Sequence, residues 1–178
     1  MYKRSLFWWT LLSFISGYCY RANAQSAYQI NLDIPDKIIE TGYLDLGGVA
    51  PDGGSISVNS YYMELNESPF IPIMGEIHYT RIPNEQWGEQ ILKVKSGGVN
   101  VICTYVFWNI HEETEGVFDW DGDKDLRKFI SLCQKHNMKT LVRIGPFCHG
   151  EIRNGGIPDW LYGRPFLIRT NDREYLKY

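Results

Sequence analysis

Three groups of polar residues each follow directly on an apolar, extended run. Glu76, His78 and Tyr79 close "FIPIMGEIHY"; Tyr105, Trp108, Asn109, His111 and Glu112 belong to the end of "VNVICTYVFW" and the "NIHE" that follows it; Cys148, His149 and Glu151 follow "TLVRIG". Carboxylates and imidazoles at three such ends allow several chemistries. A glycosidase needs two carboxyl groups flanking the scissile bond, one a proton donor and the other a nucleophile or a base for water. A metal-dependent hydrolase would use His78, His111 and His149 as ligands. Those histidines come from separate runs, without an H-x-H or H-E-x-x-H pair, which weighs against a metal. A sugar-binding protein would use the carboxylates only to anchor hydroxyls. The stretch "GPFCHGEIRNGG" carries Gly145, Gly150, Gly155 and Gly156 around Glu151. Glycine lets a backbone leave a strand sharply and approach a ligand closely, so Glu151 could accept hydrogen bonds from sugar hydroxyls there. The plain alternative is a solvated loop glutamate. Glu76, His78, Asn109, His111, Glu112 and His149 read as rim support, the histidines as buried hydrogen-bonding braces. Glu112 is expected to point inward, and Glu113 and Glu115 to be solvated.

The elements that must position these residues follow from periodicity. "SISVNSYYMEL", the turn signal "NESP" and "FIPIMGEIHY" read as a short β-hairpin leading into a buried strand. "PNEQWGEQILKVKSGG" reads as a helix, with Asn84 as N-cap, Trp87, Ile91 and Val94 on one face, and Gly97-Gly98 as the stop. "VNVICTYVFW" does not alternate, which is how a strand covered on both faces reads. "DKDLRKFISLCQKHN" is a second helix with an apolar stripe of Leu126, Phe129, Ile130 and Cys133, and Asn137 suits a left-handed C-terminal position. "MKTLVRIG" is the next buried strand, "IPDWLYG" a short helix with Pro158 near its first turn, and "TNDREYLKY" the opening of another helix with Asn171 as cap. Alternating strands and helices mean an α/β fold with a parallel sheet. The expectation is the N-terminal portion of a (β/α)8 barrel, cut after about three βα units, with a doubly wound sheet as the alternative. No G-x-G-x-x-G turn opens the first helix, which weighs against that alternative. In a (β/α)8 barrel the C-terminal strand ends build the active site.

Residues 1–24 read as a secretory signal peptide: Lys3 and Arg4, an apolar run from Leu6 to about Ile15, and Ala22-Asn23-Ala24 as cleavage site. The run is too short for a membrane anchor. A lipoprotein through Cys19 is the weaker alternative, because Tyr18 is bulky where a small residue is wanted. The expected location is secreted or periplasmic. Residues 25–54 read as a lead-in and 55–178 as the partial catalytic domain. Loss of residues 1–24 removes three basic residues and no acidic one, moving the formal charge from −3 to −6. That argues against nucleic acid or an anionic membrane as partner. Cys103, Cys133 and Cys148 fit neither a disulfide framework nor a zinc pattern. The six Trp and twelve Tyr serve core packing, or in part a stacking platform for sugars.

Three blocks carry a family resemblance: "GEIHYTR", "GGVNVICTYVFWNIHEETEGVFDWDGDKDLRKFI" and "LVRIGPFCHGEIRNGGIPDWL". In this order and spacing, over Ser55 to Tyr178, the chain resembles glycoside hydrolase family 35, the family of many β-galactosidases. The resemblance implies a (β/α)8 catalytic domain, no metal or cofactor, and retaining hydrolysis of terminal β-linked galactose. It makes Glu151 a substrate-binding residue holding ring hydroxyls, not the proton donor. It places Tyr105 in the same subsite, with Cys148 and Gly150 bordering the sugar. The family's acid/base glutamate belongs to an Asn-Glu pair after the fourth strand and its nucleophile to the seventh. Neither falls within these residues, so no catalytic residue is expected in this chain, which alone should be inactive. The alternative is a non-catalytic sugar-binding or vestigial protein. Many members read Cys-Ala-Glu-Trp where this chain has His149-Gly150-Glu151-Ile152, so the aglycone side of the pocket is the part that departs.

Overall fold

The computed structural model describes residues 28–33 and 35–178. The expected signal peptide therefore lies outside the described residues. The chain divides at Ile39 into two units. In the first, the described residues are exposed and form no helix or strand. The second, Glu40–Tyr178, contains two sheets.

The first sheet is an antiparallel meander of four short strands, β1 (Gly47–Val49), β2 (Ser55–Val58), β3 (Met63–Leu65) and β4 (Ser68–Phe70), in that order. A hairpin turn stands where it was expected, with Asn66 and Glu67 at φ 52° and 62° between β3 and β4, but "SISVNSYYMEL" is not one arm of it: it forms two paired strands, β2 and β3. Positive φ at both central residues matches the right-handed twist of the flanking strands. β1, however, falls within the stretch expected to be lead-in, and "FIPIMGEIHY" is not one strand. Phe70 pairs with Met63 in the meander, whereas Met74 pairs with Val101 in the second sheet. Pro72, which has no N–H to give a ladder, lies where the chain changes sheets.

The second sheet is parallel, in the order β5 (Met74–Glu76), β6 (Val101–Val106), β7 (Lys139–Ile144). Its register sets Glu76 beside Cys103, and Tyr105 beside Arg143. Helix α1 (Trp87–Ser96) connects β5 to β6. The short α2 (Trp108–His111) follows β6, α3 (Leu126–Lys135) leads to β7, and α4 (Asp159–Tyr162) closes the series. Asn84 does not cap α1; it lies in a 3-10 turn, where its backbone N–H and side chain donate to Asp123 at 2.7 and 2.9 Å. Asp125 caps α3 by accepting from the Lys128 N–H at 2.8 Å. Asn137 takes the left-handed position after it, at φ 55°. The expected last helix amounts to a 3-10 turn at Tyr175–Lys177, and Asp172, not Asn171, takes the Glu174 N–H at 2.9 Å.

The core lies between the parallel sheet and α1 and α3. Trp87, Ile91, Ile102, Phe129 and Cys133 are wholly buried there. Tyr79 stacks on Phe129 at 5.4 Å, and Trp87 meets Phe129 edge-on at 5.5 Å. Alternation along a strand sends neighbouring side chains to opposite faces. Gly75 and Ile102 face the helices, a Cβ on Gly75 coming within 3.1 Å of Val94. Glu76, Cys103, Tyr105 and Arg143 therefore share the other face. β7 is less covered than its apolar sequence implies: Leu141 and Ile144 are exposed, because among the described residues it pairs with β6 alone.

Candidate functional site

Parallel pairing brings the C-terminal ends of β5, β6 and β7 to one edge of the sheet, and of the expected residues Glu76, His78, Tyr105, Gly150 and Glu151 gather there. Arg143 forms an ion pair with Glu76. It also lies over the Tyr105 ring, its guanidinium carbon 3.8 Å from the centroid, and donates to the Tyr105 hydroxyl at 3.2 Å. Glu76 accepts from His78 Nε2 at 2.9 Å. The His78 ring packs against Tyr105 and Phe107, with centroids at 5.8 and 5.1 Å. Burial holds the His78 pKa below its usual value, against the opposing pull of the Glu76 carboxylate. With Nε2 donating, neutral His78 turns a buried and unpartnered Nδ1 acceptor to its surroundings.

The loop after β7 folds back on this cluster. An ideal Cβ on Gly150 would lie 2.7 Å from the Phe107 ring and 3.5 Å from that of Tyr105. Only glycine allows that approach. Glu151 sits at φ 47° and is exposed. Its charge acts on His78, raising the affinity of the ring for a proton. Tyr105 and Glu151 thus belong to the same end of the sheet. Cys148 is buried beneath the loop, with its N–H donating to the Gly155 carbonyl at 2.7 Å. Burial pushes its thiol pKa up, which disfavours the reactive thiolate. Cys103, Cys133 and Cys148 are all free thiols.

The other rim residues sit elsewhere. His111 is buried; its Nε2 lies 2.6 Å from the Tyr79 hydroxyl and its Nδ1 2.8 Å from the Asp119 carbonyl. A carbonyl only accepts, so Nδ1 carries the proton and Tyr79 donates to Nε2. Glu112 does not reach the pocket: buried, it accepts from the Trp108 indole and, at 2.6 Å, from the Gly116 N–H. Asn109 donates to the Arg153 carbonyl at 3.4 Å, tying α2 to the loop after β7. His149 is exposed, edge-on to Phe147 at 5.1 Å. The three histidines therefore do not converge, and among the described residues no three His, Cys, Asp or Glu side chains are placed to hold a metal ion. An apolar cavity of about 480 Å³ is lined by Val106, Trp108, Trp120, Ile144 and Leu176, and neither Tyr105 nor Glu151 borders it. Val106 and Ile144 place it on the helix-facing side of the sheet, so it is packing space and not part of the rim.

Sequence reading missed two arginines. Arg143 was detectable as the lone charge inside an apolar strand run. Arg81 carried no local signal, because its partners are carbonyls about seventy positions away: Gly150 and, at 3.2 Å, Glu151.

A family model for glycosyl hydrolases family 35 matches residues 62–178. The chain belongs to this family. It is 49 % identical over 105 residues to "Beta-galactosidase 11" of Oryza sativa subsp. japonica, covering 58 % of this chain and 12 % of that protein. It is 44 % identical over 129 residues to "Beta-galactosidase 13" of Arabidopsis thaliana, covering 72 % of this chain and 14 % of the relative. An "Exo-beta-D-glucosaminidase" of Pyrococcus horikoshii is 42 % identical over 101 residues, 54 % of this chain and 13 % of that protein. The chain thus spans only about an eighth of the length of these curated relatives. The match includes all three βα units, and so the whole rim at Tyr105 and Glu151. Among the described residues no helix is long and apolar enough to cross a membrane.

Proposed function

We propose that this chain supplies one wall of the sugar pocket of a secreted or periplasmic, retaining β-galactosidase, as the N-terminal part of its (β/α)8 catalytic domain. The observation that carries this reading is the approach of Gly150 to the Tyr105 and Phe107 rings, which sets Glu151 at the same sheet end as Tyr105. A carboxylate there can accept hydrogen bonds from two neighbouring ring hydroxyls, and charge-assisted bonds of this kind are the stronger ones. Tyr105 offers a hydroxyl fixed by Arg143, whose guanidinium covers one face of the ring. Glu76 is spent on Arg143 and His78, and Glu112 on Trp108 and Gly116. Glu112 is buried among these partners and Glu76 is engaged by two cationic or donor side chains, which favours glutamates outside these residues for bond breaking. Those glutamates would protonate the leaving oxygen, form the glycosyl-enzyme and hydrolyse it. The relatives' printed names include a β-galactosidase and an exo-β-D-glucosaminidase; galactose is the first choice because it recurs among the relatives. The test is Glu151→Gln in the intact protein, assayed on aryl β-galactoside and aryl β-glucosaminide. The expected result is a fall in kcat/KM on the galactoside of at least roughly tenfold. Unchanged kcat/KM on both substrates would remove Glu151 from the pocket.

A further inference from the structure

The feature that no sugar contact explains is the hold on the backbone of the Glu151 loop. Arg81 lies in the turn after β5, and that turn is itself fixed: the buried Trp87 indole donates to the carbonyls of Tyr79 and Ile82 at 3.0 and 2.9 Å. From there Nη2 of Arg81 donates to the carbonyl oxygens of Gly150 and Glu151, and its guanidinium carbon lies 5.3 Å from the Phe107 ring centroid. Phe107 is wholly buried and blocks the loop at Gly150. Glu151 is at φ 47°, a region that a residue with a Cβ occupies only when its surroundings impose it.

We propose that Arg81 is a positioning residue for Glu151: it clamps two successive carbonyls across the left-handed turn and so fixes where the sugar-binding carboxylate stands. This rests on the reading of Glu151 given above. One guanidinium nitrogen serves both carbonyls while the planar group lies against the Phe107 ring; a lysine ammonium could reach the carbonyls only on a flexible stem, with no planar group to lay on that ring. The clamp acts on the loop backbone; the Arg81 charge also helps to lower the His78 pKa, so the cycle with Glu151→Gln separates the part that runs through the carboxylate.

The experiment is a double-mutant cycle in the intact protein on aryl β-galactoside, with Arg81→Ala, Arg81→Lys, Glu151→Gln and the two arginine variants combined with Glu151→Gln. Arg81→Ala is expected to lower kcat/KM by roughly ten- to a hundredfold, Arg81→Lys to recover little, and added guanidinium to recover part of the Arg81→Ala loss. Combined with Glu151→Gln, the arginine change should cost almost nothing further, because the carboxylate it positions is already gone. Losses that multiply across the cycle would overturn the proposal, as would wild-type kcat/KM for Arg81→Ala. Should Arg81→Ala fail to fold, Arg81→Lys decides: wild-type kcat/KM overturns the clamp, and a loss that vanishes in the Glu151→Gln background supports it. A Glu151→Gln variant with unchanged kcat/KM defeats the sugar-site reading itself, and the clamp with it. Impaired Glu151→Gln beside a wild-type Arg81→Lys defeats the clamp alone.

Discussion

Gly150→Ala puts the smallest possible side chain where the structure has no room for it. The added Cβ would lie 2.7 and 2.8 Å from two carbons of the Phe107 ring. Carbon atoms rest at about 3.5–4.0 Å, so something must yield by about 1 Å. Phe107 is wholly buried, with His78, Tyr105 and Arg81 around its ring, and cannot withdraw cheaply. The loop is the softer partner and lifts, taking Glu151 with it. Overpacking of this kind costs about 1–3 kcal/mol of stability. A misplacement of about 1 Å at a substrate-positioning group can cost about a hundredfold in rate. The expectation for Gly150→Ala in the intact protein is therefore a kcat/KM on aryl β-galactoside reduced by about two orders of magnitude, with a smaller loss in Tm. Gly150→Ala combined with Phe107→Leu, which removes the obstructing ring edge, should regain part of it. Wild-type kcat/KM for Gly150→Ala would show that the loop can move off Phe107 without displacing Glu151.

Two further outcomes follow from local features. Burial depresses the pKa of His111 below 6.5 in the folded state, so the unfolded chain takes up that proton first as pH falls. Its contribution to stability is complete above pH 6.5 and is lost as pH falls through that value towards the folded pKa; His78 acts with the same sign. Thermal melts between about pH 7.5 and pH 5.5 should show Tm falling with pH, and less steeply in His111→Gln; equal slopes would contradict this. Gly88 lies inside α1 with nothing within 4 Å of an added Cβ, so Gly88→Ala should stabilise the protein by about 1 kcal/mol in urea unfolding. A loss of stability would mean that α1 packs differently there.

How far the sequence carried the fold depends on whether the controlling contact was local. The apolar spacing of Trp87, Ile91 and Val94, and of Phe129 and Cys133, reports directly which helix face meets the sheet, and those faces are the buried ones. Strand β6 read as doubly covered and its first four residues are buried. Strand β7 read the same way from composition, yet coverage depends on neighbours and not on its own residues. The break at Pro72 was visible as a proline in an extended run, but which sheet each half joins is decided by partners in β3 and β6. At the site, the glycines around Glu151 announced a close approach, and Gly150 makes one. Glu112 was expected to point inward and is buried, but its partners were not legible, and neither was the fate of Arg81. A carboxylate satisfied by an indole four positions back and an arginine bonded to distant carbonyls have the same sequence appearance as solvated surface charges.

The most direct test of the central claim is a crystal structure of the intact protein with galactose bound. The sugar ring is expected at the C-terminal ends of β5, β6 and β7, with hydroxyls within hydrogen-bonding distance of the Glu151 carboxylate and one edge against Tyr105. Galactose bound without contact to either residue, or at the opposite end of the parallel sheet, would contradict that claim.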